Sequence, residues 1–230
     1  MIHWHQYQSA KAVAHYAADR ITCIAKEAID ARGVFKIVLA GGSTPAACYR
    51  MLAGSRTDWS NWQVYFGDER CLPVEHPDRN SVMADECLLS QVPVKAENTF
   101  VIPAEAGAER GAERYQQVID SAMPFDVVML GMGEDGHTAS LFPGQKRIDE
   151  RSVIPVYDAP KPPADRISLN YLTLQSTRHM LVLITGAGKQ SAMGRWFSGG
   201  ALPICDVVEN TGADIVLDQA AYSGPLLIDV

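Results

Sequence analysis

The feature that most constrains this chain is a repeated alternation along its length. Short apolar, β-favouring runs stop on glycine-rich or charged segments, and helical patterns lie between them. The first helical pattern covers 9–32 and ends at Gly33; a strand at 35–40 halts on paired glycines; a helix at 45–52 is closed by Gly54. The alternation continues through strands at 63–66, 99–102 and 125–130, with helices at 81–89 and 107–122. Strands near 167–169, 180–185 and 214–217 follow, with a helix at 189–197. Strands that are apolar throughout and separated by helices predict a sheet buried on both faces. The expected fold is therefore α/β: an open, mostly parallel, twisted, Rossmann-like sheet with helices on both sides, forming one domain over 1–230. The proline-rich stretch 143–166 reads as a long loop near the site.

Composition narrows the function. A chain of 230 residues, 47% hydrophobic and 20% charged, has enough apolar material for one sizeable core. No apolar run approaches the roughly 20 residues needed to cross a bilayer, so no membrane partner is expected. The first residues lack a positive flank followed by an apolar block, which points to the cytoplasm. Five scattered cysteines without a Cys-x-x-Cys pair read as reduced thiols. His3 and His5 lack the carboxylates or cysteines that would complete a metal site, so no metal is expected. The formal charge of −7, with no basic block, excludes a nucleic-acid footprint. A small anion can still bind, because charges beyond about 8 Å are largely screened at physiological salt. Any phosphate site must then be local.

In parallel sheets, ligands bind at the carboxyl ends of the strands. Four informative segments fall there. Gly41-Gly42-Ser43-Thr44-Pro45 joins a strand to a helix; it serves equally as a capped turn or as an anion site made from Gly42, Ser43, Thr44 and free N–H groups. Gly67-Asp68-Glu69-Arg70 is either a solvated charge cluster or a site where Arg70 grips phosphate and Asp68 orients a neighbour or the ligand. His76 and Asn80 follow, and a capping role suits Asn80 best. Gly131-Met132-Gly133-Glu134-Asp135-Gly136-His137 is the densest signal: three glycines in six residues, then a histidine suited to taking a proton from water, with Asp135 placed to fix its tautomer. Arg166 opens a strand after the proline-rich loop. Lys189 begins a helix after Gly186-Ala187-Gly188, where the helix dipole disfavours a cation unless an anion binds. Ser140 can meet His137 if 137–140 is helical, which reads as incidental packing. No serine-hydrolase elbow, Walker loop or dinucleotide fingerprint is present.

These segments, in this order, resemble the 6-phosphogluconolactonases, which share a wider group with glucosamine-6-phosphate deaminases. The words that match are Gly41 to Pro45, Gly67 to Arg70 with Pro73, His76 and Asn80, Asp135 to Gly144, Thr185 to Lys189, and the Leu217-Asp218 ending with Ala221. The resemblance implies hydrolysis of a six-membered sugar-phosphate lactone in the oxidative pentose phosphate pathway. It gives His137 the role of general base with Asp135 beside it, and Ser43, Thr44, Arg70, Arg166 and Lys189 the phosphate. It implies no metal or organic cofactor; a monomer or small homo-oligomer is expected. The deaminases carry a glutamate where this chain has Phe142, which favours hydrolysis over deamination or isomerisation. A non-catalytic sugar-phosphate sensor is a third reading. Two departures stand out: Arg79 adds a cation near the expected site, and Ile215-Val216 replace a usual aromatic before the final Leu-Asp.

Overall fold

The helix α1, Ala10–Arg32, shows how local sequence sets the architecture. Ser9 caps it, its hydroxyl accepting from the Ala12 N–H at 3.3 Å, and Gly33 ends it at φ 74° with an N–H donated to Ile29. Val13, Ala14, Ala17, Ala18, Ile21, Ile24, Ala25 and Ala28 form one buried stripe at three- and four-residue spacing. All eight are buried, so this face is committed to the core. The computed structural model describes residues 1–148 and 150–225.

The sheet that α1 covers has six strands: β1 (Ile2–Tyr7), β2 (Phe35–Leu39), β3 (Trp62–Phe66), β5 (Phe125–Gly131), β8 (Thr177–Ile184) and β9 (Ala213–Asp218). Their order is β1-β9-β8-β5-β2-β3, and every pairing is parallel. From β2 the chain passes through α2 (Ser43–Leu52) to β3 on one side, whereas β5 lies on the other side of β2. The winding therefore reverses between β2 and β5, and a crevice opens beyond their carboxyl ends. β5 is buried along its length up to Gly131, as expected of a central strand.

A second sheet was not expected. β4 (Asp68–Arg70), β7 (Arg166–Leu169) and β6 (Val153–Val156) form an antiparallel sheet of three, with α4 (Ala108–Ala122) against it. The stretch 143–166 thus contains a strand and is not one long loop. The expected strand at 99–102 is reduced to a single bridge between Thr99 and Val64, because the chain turns away at Pro103 into a 3₁₀ turn. β1 and the short helices α5 (Tyr171–Gln175) and α7 (Pro203–Val208) also escaped the sequence pattern. α3 (Asn80–Cys87) and α6 (Gln190–Phe197) lie where helices were expected, α6 after a 3₁₀ turn at Ala187–Lys189. No helix among the described residues is long and apolar enough to cross a membrane.

Candidate active site

The crevice between β2 and β5 is a cleft of about 320 Å³. Gly42 from the β2–α2 turn, Asp68 and Arg70 from β4, His137 from the loop after β5, Arg166 from β7 and Lys189 after β8 all line it. Both sheets thus deliver their expected residues to one place. A wider hollow of about 760 Å³ lies between α1 and residues 51–58, away from all of these. Its size does not make it the site, since it brings together none of the strand-end segments.

The loop after β5 is folded around its histidine. The Gly133 N–H donates to the His137 carbonyl at 2.8 Å, and the Gly136 N–H to the Gly133 carbonyl at 3.1 Å. Asp135 Oδ1 accepts from the His137 backbone N–H at 3.1 Å and lies 2.5 Å from its ring Nδ1. A carboxylate there fixes the proton on Nδ1 and leaves Nε2 with its lone pair. Partial burial would raise the Asp135 carboxyl, but the His137 backbone N–H and ring outweigh it and hold it below its ordinary value. The ring is partly exposed at 21%, so it is open to water. Asp135 stands behind the histidine and does not itself line the cleft.

Gly133 is required by space. A Cβ there would fall 2.0 Å from His137 Nδ1 and 2.6 Å from Asp135 Oδ1, in the middle of the pair. Gly133→Ala is therefore expected to lower kcat by about 10²-fold, by misplacing the base by about an ångström. Unchanged kcat in that variant would show that the pair is not the reacting centre.

Ser140 does not meet His137, because no helix forms at 137–140; Thr138 and Leu141 instead bridge a tight turn, and Ala139 takes φ 48°. Ser140 donates its hydroxyl to Asp68 at 2.6 Å, and its N–H goes to the Ser168 hydroxyl. Asp68 also accepts from the Asn80 amide at 3.0 Å. Burial pushes the Asp68 carboxyl up, against Ser140 and Arg70, which favour the ion. Asp68 therefore orients neighbours as well as lining the cleft. Asn80 lines it too, as the first residue of α3. The capping role read for Asn80 belongs to Glu69, whose carboxylate accepts from the Asn80 and Ser81 N–H groups at 2.7 and 2.9 Å. His76 turns back on Asp78, where its Nδ1 accepts the backbone N–H.

Arg70 and Arg166 are direct partners across β4 and β7. Like charges facing each other across strands repel unless an anion lies between them. Arg70 Nη1 donates to the Asp78 carbonyl, while its buried Nε has no partner among the described residues. Burial lowers the Arg166 guanidinium, Asp68 counters it, and Arg70 lowers it further. Arg166 lies over the Phe142 ring at 5.6 Å, and the same ring meets His137 at 4.8 Å. One aromatic ring therefore contacts both the cation and the base.

Ser43 and Thr44 lie in the first turn of α2, beside the cleft but not in its lining. The Thr44 hydroxyl is shared with Thr185 at 2.6 Å, tying that turn to the end of β8. Arg79 is not a cation of the site. It is buried and spent on Glu69, Glu105 and the Ile102 carbonyl. No group of three or more potential metal ligands occurs among the described residues.

Fold and cleft together define a parallel-sheet α/β protein with a crevice lined by Arg70, Arg166 and Lys189 and a histidine–aspartate pair beside it. Residues 8–216 match the family described as glucosamine-6-phosphate isomerases/6-phosphogluconolactonase, and the chain belongs to that family. It is 40% identical over 185 residues to a probable 6-phosphogluconolactonase 2 of Arabidopsis thaliana, covering 70% of each chain. It is 34% identical over 208 residues to a probable chloroplastic 6-phosphogluconolactonase 3 of Oryza sativa, across 82% of this chain. This chain spans 62% of the length of that rice protein. The solved 6-phosphogluconolactonase of Trypanosoma brucei superposes with a TM-score of 0.85 at 26% identity, covering 97% of this chain and 98% of that one.

Proposed function

We propose that this chain hydrolyses 6-phospho-D-glucono-1,5-lactone to 6-phospho-D-gluconate in the oxidative pentose phosphate pathway, with His137 as general base. The observation that carries the reading is the His137–Asp135 pair in the same cleft as Arg70, Arg166 and Lys189. The names of the relatives support the substrate class.

Arg70, Arg166 and Lys189 hold the phosphate, helped by Gly42, Ser43 and Thr44 at the start of α2, where free N–H groups favour an anion. Burial lowers the Lys189 ammonium, so an arriving phosphate stabilises its charged form. With the phosphate anchored, water on His137 Nε2 attacks the lactone carbonyl carbon and the imidazole takes its proton. Asp135 balances the resulting imidazolium. As the tetrahedral intermediate collapses, the ring C–O bond breaks and the imidazolium returns the proton to the leaving oxygen. Within the glycine loops, the N–H groups of Gly133 and Gly136 are already engaged with the carbonyls of His137 and Gly133, so the oxyanion is met by other donors.

Phe142 favours this reaction over deamination on the same fold. Its buried ring puts no proton-transfer group where an amino-sugar reaction needs a second one. A cytoplasmic, monomeric or small homo-oligomeric enzyme without cofactor or nucleic-acid partner completes the proposal. Acid release from fresh phosphorylated lactone, measured above spontaneous hydrolysis, tests it. Ammonia release from glucosamine 6-phosphate, with no lactone hydrolysis, would replace it by the deaminase reading. Arg70→Ala is expected to raise KM about tenfold with a smaller change in kcat, since it removes a charge-assisted phosphate contact.

A further inference from the structure

The cleft holds a cation that the sequence motifs did not single out. Lys161 and Pro162 line it, carried by the turn between β6 and β7. Arg166 fastens that turn. Its Nη2 donates to the Lys161 and Pro162 carbonyls at 2.9 and 3.3 Å, and its Nε to the Pro163 carbonyl at 3.2 Å. Much of the Arg166 guanidinium is therefore engaged in presenting Lys161. Lys161 Nζ lies 3.6 Å from Glu134 Oε2. The other oxygen of that carboxylate is against the 186–189 turn, 3.0 Å from where a Cβ on Gly188 would stand. Lys189 senses both neighbours, Glu134 favouring its charged form and Lys161 opposing it. One carboxylate of the cleft lining thus pairs with Lys161 and lies against the turn that carries Lys189.

We propose that Lys161 is a phosphate-binding residue of this site, and that Glu134 is an internal counter-anion that competes with the ligand's phosphate for Lys161 and Lys189. This rests on the cleft being a sugar-phosphate site. The pair is largely solvent-exposed on both sides and too long for a tight hydrogen bond, so breaking it costs little. A phosphate brings close to two negative charges and three acceptor oxygens against one charge on the carboxylate. Exchange of Glu134 for phosphate is therefore favourable, and Glu134 sets how much affinity remains.

The test is calorimetric titration with inorganic phosphate of the wild type, Lys161→Ala, Glu134→Gln and the double variant, alongside kinetics on the phosphorylated lactone. Lys161→Ala is expected to weaken phosphate about fivefold and raise KM in parallel, with kcat little altered. Glu134→Gln is expected to tighten phosphate about threefold, and by less when Lys161 is absent. Unchanged affinity in Lys161→Ala, or weaker affinity in Glu134→Gln, overturns the assignment. If the wild type hydrolyses the lactone while Lys161→Ala binds phosphate normally, this inference fails and the activity stands. If phosphate affinity depends on Lys161 but no lactone is hydrolysed, the activity fails and this inference stands.

Discussion

Replacing His137 with alanine is expected to cut turnover of the lactone by roughly 10²–10⁴-fold, the usual worth of a positioned general base. Binding of 6-phosphogluconate should change little, because the phosphate cations come from β4, β7 and the turn after β8, on separate elements from the ring. The contrast between rate and affinity is the informative part. His137 Nδ1 is held by Asp135, so a loss confined to kcat identifies Nε2 as the group that meets water. Parallel loss of product affinity and turnover would mean that the ring is a structural prop for the loop, and the general-base assignment would be lost.

The largest expected loss of stability comes from Glu69→Ala. The side chain is fully buried beside the cleft and accepts from the Asn80 N–H, the Ser81 N–H, the Ser81 hydroxyl, its neighbour Arg70's N–H and the Arg79 guanidinium. It caps α3 and neutralises a buried cation at once. Removing one partner of such a pair leaves an uncompensated charge and costs about 3–5 kcal/mol. For a chain of this size that lowers Tm by about 10 °C. Arg79→Met introduced together with Glu69→Ala should recover part of the loss, because the orphaned guanidinium is then gone. Denaturant unfolding measures both; a single-variant cost under about 1 kcal/mol would show that water or Glu105 replaces Glu69 without penalty.

Most of the parallel sheet was legible because its inner strands are largely apolar runs, and the site because most of its motifs follow such a run directly. The helix read over 9–32 is α1, Ala10–Arg32, with Gly33 ending it as expected and Ser9 serving as its cap. β1 was hidden by its composition, since Ile-His-Trp-His-Gln-Tyr is an edge strand half-buried throughout and lacks an apolar run. The small sheet was hidden for another reason. Asp68, Glu69 and Arg70 form a strand only because β7 lies beside them, and a charged tripeptide carries no local sign of that pairing. The same blindness affected Arg79, which reads as one more cation near the site until the burial of Glu69 and the Ile102 carbonyl shows where its charge is spent. Lys161 sits among prolines, and only the three carbonyls gathered by Arg166 bring it to the cleft.

The order of the six strands also bears on how the polypeptide can be made. β1 precedes every other described strand, yet among the described residues its sole neighbour in the sheet is β9, which starts at Ala213. During synthesis β1 must wait, unpaired, until β9 has followed. A truncation just before Ala213 would strip two strands from the sheet while deleting only one, and leave the edge of β8 bare to other nascent chains.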